Sequence, residues 1–408
     1  MPESSLSEVL RSPAGARPAV LEGRWLGNEG RQAWVAANPV SVLEGGPEAL
    51  EELSSWLAWH AEKYPSGAAI GFLAYELARL FEPVRLVKLP SLPDLSFAYY
   101  PRVRRVPLNT PALPAMNIAP PVEFYANSDK QSYQEAVAKI REYIAAGDIY
   151  QANLTIQFSV NLGSQLPEET YHRLRRTRAP FGAFLKGPGR AILSNSPERF
   201  FRASGDRIVA SPIKGTIARG AQGEETARSR LLSSAKDRAE NVMIVDLVRN
   251  DLGRICRYDS IRARLYEIET LPQLFHLVSH VEGTLRHGVG LWDILRALFP
   301  CGSITGAPKI RAMEVLSEIE QVPRGVSMGA LGIICGAPGS DRCTMDFNVA
   351  IRTMLIENDR AVFNVGGGIV YDSQAESEYE EVMLKAQPLL GALGALESVK
   401  TGTIHTCI

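Results

Sequence analysis

The chain has 408 residues, 45% of them hydrophobic and 22% charged, with a formal net charge of −1. That length supports one large or two ordinary domains around a substantial core. The charge balance leaves no basic field to attract nucleic acid or an anionic membrane surface, and no apolar run approaches the about 20 residues needed to span a bilayer.

The N-terminal stretch MPESSLSEVLRSPAG carries acidic residues and no apolar core, so no secretory signal is expected. The five cysteines, Cys256, Cys301, Cys335, Cys343 and Cys407, are scattered and form no CxxC pair. They read as free thiols of a cytoplasmic protein. Arg31–Leu43 is strand-like. Pro47 then opens an amphipathic helix with Leu50, Leu53, Trp56, Leu57 and His60 near one face. SFAYYPRVRRV reads as another strand. Five prolines within 107–121 mark a linker, dividing an N-terminal region, 1–121, from a catalytic domain, 122–392, with a tail at 393–408.

A helix follows, capped by Ser128, with Tyr133, Val137, Ile140 and Ile144 at helical spacing and Gly147 placed to end it. IYQANLTIQFSV, GAFLKGPGRAILSN and ERFFRASGDRIVASP form a meander of strands with glycine-rich turns. Helices are expected over Ser234–Val248, Gly306–Glu320 and Ala375–Leu390, and strands LGIIC and FNVAIRTMLI flank a loop at 336–342. Runs of strands and runs of helices indicate an α+β fold with mostly antiparallel sheets.

Three clusters carry the chemistry. In SPERF and SPIKGT, Lys214 sits at a strand end. It is either a solvated turn residue or a desolvated amine, whose neutral form is nucleophilic. Glu198 on the preceding hairpin strand can approach it and, if enclosed, is a general acid; taken alone, a glutamate there is more often a surface residue. The second cluster is acidic. Glu378, Glu381 and Lys385 recur at i, i+3 and i+7 on one helical face, and Glu240 lies on another helix. Carboxylates from two helices suit a hard divalent cation such as magnesium, although solvated charged faces look the same. The third cluster is glycine-rich. CGSITGAPK precedes a helix and NVGGGIV follows a strand, where free amides donate to a carboxylate or the glycines simply make a tight turn, while Arg352 offers a bidentate fork, although a lone arginine is more often structural. GAPK lacks the GxxxxGK[ST] spacing, so it is not a phosphate loop. Together these describe a closed site for a small dianion.

SNSPERF, SPIKGT, KDRAENVMIVDLVRNDLGR, HLVS, GSITGAPKIRAMEV, AIRT, GGGIV and ESEYEE…K occur in the order found in the chorismate-utilising enzymes. The chain resembles that family over about 125–390, and more loosely before it through GFLAYELARLFE. The family includes anthranilate and aminodeoxychorismate synthase large components and isochorismate and salicylate synthases. The resemblance implies antiparallel sheets packed together with outer helices. Lys214 and Gln151 bring the chain nearest to the aminodeoxychorismate-forming members. Alanine is usual at the Lys214 position in anthranilate and salicylate synthases, and lysine at the Gln151 position in water-adding members. The implied reaction aminates chorismate through a covalent Lys214 intermediate, with Glu198 as acid. Ammonia would come from a separate glutamine amidotransferase. The resemblance also implies magnesium on Glu240 and Glu381 with Glu378 close by, and substrate contacts from Gln151, Thr216, His276, Ser303, Arg352, Gly367, Gly368 and Lys385. Cys301 stands where a glycine is frequent, and Ser327 or Met328 where a tyrosine is. An anthranilate-forming enzyme and a non-catalytic chorismate-binding subunit are the rival readings.

Overall fold

In the computed structural model, residues 6–395 are described apart from 28–29, 31, 85, 87–88, 91, 109–121, 220–222, 273 and 338–342, together with the backbone of 405–406. The expected linker therefore lies largely outside the described residues, as do Cys407 and most of the loop at 336–342.

Period-two side chains build two sheets. In strand Ala19–Gly23, Val20 packs toward the outer helices while Ala19 and Leu21 pack toward the opposite sheet. With both faces buried, such strands read as continuous apolar runs, and each enclosed Val, Leu or Phe contributes about 1.5–3 kcal/mol. The first sheet runs, in spatial order, Phe124–Ala126, Gln151–Asn161, Arg360–Ile369, Thr353–Glu357, Arg190–Ser196, Phe181–Gly187, Ala19–Gly23, Gln32–Ala36 and Arg104–Pro107. The second runs Ile213–Ala218, Leu274–Thr284, Arg207–Ser211, Arg199–Ser204, Thr344–Val349, Ala330–Cys335, Ala68–Leu73, Leu95–Tyr100 and Ser41–Gly45. These neighbours are all antiparallel; the 405–406 bridge to Tyr125–Ala126 is parallel. Strands from before residue 108 thus enter both sheets.

Helices cover the outer faces. Pro47–Lys63, Ala235–Gly253 and Leu291–Leu298 pack on the second sheet; Lys130–Ala145, Pro167–Leu174, Lys309–Ile319 and Ala375–Leu393 pack on the first. The α+β architecture of packed antiparallel sheets with outer helices is as the sequence indicates.

Several local expectations need correction. Asp129, not Ser128, caps the helix Lys130–Ala145, its carboxylate accepting the Ser132 amide at 2.8 Å. Arg31–Leu43 is not one strand: Gln32–Ala36 joins the first sheet and Ser41–Gly45 the second, with a turn at Asn38 (φ 57°) between them. FNVAIRTMLI also divides. Thr344–Val349 belongs to the second sheet and Thr353–Glu357 to the first, with Arg352 at φ 48° where the chain crosses. The helix expected from Gly306 starts at Lys309, because Gly306–Ala307 pairs with Gln151–Ala152. The helix capped by Ser234 continues past Val248 to Gly253.

Candidate active site

The site lies on the seam between the sheets, where two strand crossings meet. The chain passes from the first sheet to the second between Ser196 and Arg199, carrying Glu198, and returns between Val349 and Thr353, carrying Arg352. The crossings are tied together. Val349 N donates to Glu198 O at 3.0 Å, Asn195 N to Arg352 O at 3.1 Å, and Ser196 Oγ to Val349 O at 2.6 Å.

Glu198 is 4% exposed and its Oε1 has no hydrogen-bond partner. Burial pushes its pKa up to about 7, against the opposing pull of Lys214, the Ser303 hydroxyl and the Ile213 amide. A carboxyl in that range holds a proton at neutral pH and can give it up. Lys214 approaches from the edge strand Ile213–Ala218. The register of this strand against Leu274–Thr284 shifts between Ile213 and Thr216, a β-bulge that sets Lys214 and Gly215 outside the regular ladder. Gly215 is required there: its φ is 91°, and an added Cβ would lie 3.0 Å from Asp237 and Leu231. Lys214 Nζ donates to Ser303 O at 3.4 Å.

Across the bulge, Thr216 Oγ1 and His276 Nδ1 are 2.8 Å apart, while the buried His276 Nε2 has no partner. Burial, aided by Arg352, drives the His276 pKa down to about 4 despite the Gly215 backbone, so the ring is neutral. Burial alone moves Arg352, downward, with no neighbouring carboxylate among the described residues offsetting it. A desolvated guanidinium without a counterion beside a neutral imidazole suits an incoming carboxylate.

The floor comes from strands Gln151–Asn161 and Arg360–Ile369. Gln151 is fully buried with both amide atoms unpartnered, and an added Cβ on Gly368 would stand 2.4 Å from its Nε2. At Gly367 the added atom would meet Glu378 Oε2 at 3.2 Å. The glycines therefore leave room for these two side chains.

The acidic residues are distributed unevenly. Glu240 is half-buried; burial raises its pKa, as do Asp237 and Glu381, while Lys214 and Lys236 lower it. Glu381 is exposed. Desolvation would raise it, but Lys385, bound at 2.7 Å, with Lys236 and Lys214, brings it below its ordinary value. Lys385 also donates to Gly366 O at 3.2 Å. Glu378 is buried and receives Ser373 Oγ at 2.7 Å. Among the described residues no three acidic, histidine or cysteine groups form a metal cluster. Glu381 raises Glu240, so carboxylates from two helices lie near enough to interact, a donor pair that would suit a magnesium ion.

Three features escaped the sequence reading. Lys309 of GAPK pairs with buried Asp251 at 2.7 Å and donates to Leu298 O, tying the Glu240 helix to the turn that carries Ser303. Arg324, 3% exposed, pairs with Glu320 and donates to Ile304 O and Asn153 O, fixing that same turn to the floor. Tyr133 OH and Asn153 Nδ2 are further buried polar atoms without partners. Ser327 is structural, its hydroxyl accepting the Asn364 amide at 3.0 Å.

A family description, chorismate binding enzyme, matches residues 29–391. The chain belongs to the chorismate-binding enzymes. It is 36% identical to the aminodeoxychorismate synthase component 1 of Escherichia coli (strain K12), over 82% of this chain and 79% of that one. It is 34% identical to the anthranilate synthase component 1 of Streptomyces coelicolor, over 91% of this chain and 82% of the other. The crystal structure of anthranilate synthase component I from Streptococcus pneumoniae TIGR4 superposes with a TM-score of 0.76 at 28% identity, covering 88% of this chain and 92% of that one. On the seam, Arg352 lies desolvated beside neutral His276, and Lys214 is close enough to Glu198 to act on its carboxyl. No helix among the described residues is long and apolar enough to cross a membrane.

Proposed function

We propose that this enzyme aminates chorismate at carbon 4, forming 4-amino-4-deoxychorismate through a covalent adduct on Lys214. The observation that carries the reading is a lysine on a bulge beside a buried carboxyl poised near neutrality, where a purely structural pair would be ionised and hydrogen-bonded to each other.

The Lys214 amine attacks carbon 2 of the ring. Both ring double bonds shift and the carbon-4 hydroxyl departs as water with the proton of Glu198. Ammonia then attacks carbon 4, both double bonds return to their places, and the Lys214 amine is expelled from carbon 2. Arg352 and the amides near Gly367 and Gly368 hold a substrate carboxylate, and neutral His276 offers its Nε2 to the substrate. Gln151, an amide and not a base, gives water no activation at carbon 2. Glu240 and Glu381, with Glu378 behind them, would hold magnesium, which would neutralise a second carboxylate. Ammonia would be delivered by a separate glutamine amidotransferase, as the component 1 names of the relatives suggest.

The test is to incubate the protein with chorismate and magnesium but no ammonia, then weigh it intact. An adduct is expected on Lys214 by peptide mapping, and adding ammonium should convert it to aminodeoxychorismate. Direct amination by Lys214→Ala at full rate, or anthranilate as the product, would refute the reading.

A further inference from the structure

Cys301 and Ser303 occupy the buried turn before Gly306, with Sγ and Oγ 3.3 Å apart. The Ser303 hydroxyl acts on the Glu198 carboxyl, and Glu198 acts on the thiol, so the three groups are neighbours. Glu198 Oε1 is buried and unpartnered. Burial first, and Glu198 second, push the Cys301 thiol up to about 12, so it remains S–H at any working pH. A thiol can donate or accept. At 3.3 Å either the thiol or the Ser303 hydroxyl can be the donor.

We propose that Cys301 is a positioning residue for Glu198: its thiol fixes the Ser303 hydroxyl on the carboxyl and closes the space through which water would reach it. The inference rests on Glu198 being the acid of the reaction read above. The groups facing Glu198 are Lys214 and the Ile213 amide from the edge strand and Ser303 from the turn; Lys309 faces Cys301 from the following helix. A substitution at residue 301 leaves each of these residues itself unaltered.

Cys301→Gly frees roughly the space of one water, about 30 Å³. Solvation favours the carboxylate, so Glu198 becomes a stronger acid. The basic limb of the pH profile for ammonia-dependent turnover of chorismate, governed by loss of the Glu198 proton, should move about one pH unit lower, a tenfold change in acidity. Cys301→Ala should move it in the same direction by less. Cys301→Ser keeps the donor and most of the volume and should hold the limb near the wild-type position. The same shift can be read without turnover, from urea unfolding of each variant with and without Glu198→Gln between pH 4 and 8. Coincident limbs and coincident unfolding differences in wild type, Cys301→Ala and Cys301→Gly would overturn the inference, as would a Cys301→Ser shift as large as that of Cys301→Gly. If the unfolding shift occurs but ammonia yields no aminated product, the positioning role stands and the functional reading falls.

Discussion

Replacing Glu198 with glutamine should make the protein more stable at pH 8 while abolishing turnover. The carboxyl is buried, and its pKa rises from 4.5 to about 7 in the fold. An acid with a raised folded-state pKa contributes its full stability below the unfolded value of 4.5. That contribution is lost as pH climbs through about 7, because the folded state must then accommodate a poorly solvated charge. The displacement corresponds to about 3 kcal/mol once ionisation is complete. Glutamine keeps the shape and stays neutral. Urea denaturation of the two proteins should therefore coincide near pH 4 and diverge to about 3 kcal/mol in favour of the variant at pH 8. Glu76 also titrates near 7, pushed up by burial against the amides of Arg324 and Gly325, but it is present in both proteins and cancels in the difference. Parallel stability curves across the whole range would refute the burial argument and leave Glu198 an ordinary carboxylate.

Gly368→Ala should push the Gln151 amide aside and lower kcat/KM by about 100-fold, the scale of a 1 Å misplacement, with an unchanged circular dichroism spectrum. Full activity would show that Gln151 does not need its present place. Lys309→Met strands Asp251 without its partner and should cost about 3–5 kcal/mol in urea denaturation. A loss below about 1 kcal/mol would mean that Asp251 takes up a proton instead. Glu240→Gln and Glu381→Gln should each weaken the magnesium dependence of activity and the magnesium-induced rise in melting temperature. Titrations identical to wild type in both would exclude them as ligands.

The helices were legible because their apolar stripes are long and their caps local: Tyr133, Val137 and Ile140 are buried where their spacing puts them, and Gly147 ends that helix at φ 83°. Lys214 and Glu198 were legible as residue types, and the fold brings them together. What stayed hidden was where strands change sheets. FNVAIRTMLI keeps its alternation through Arg352, and no glycine or proline punctuates the crossing, so a left-handed arginine is invisible to pattern. Partnerships between distant residues were equally silent. Lys309 gave the signal of a charge beside a proline in a glycine-rich turn, yet nothing local names Asp251. Nor does the sequence say that Cys301 lies near Glu198, since that juxtaposition exists only after the turn folds against the strand crossing.

The two crossings have a mechanical consequence. Glu198 and Arg352 are each anchored in both sheets, and hydrogen bonds lock the crossings to one another. A slide of one sheet over the other by a single residue, about 3.3 Å, would have to break those bonds. The sheets therefore behave as a riveted frame that resists shear at the place where the chemistry needs fixed distances. Glu240 and Glu381 lie outside this frame, on two of the outer helices.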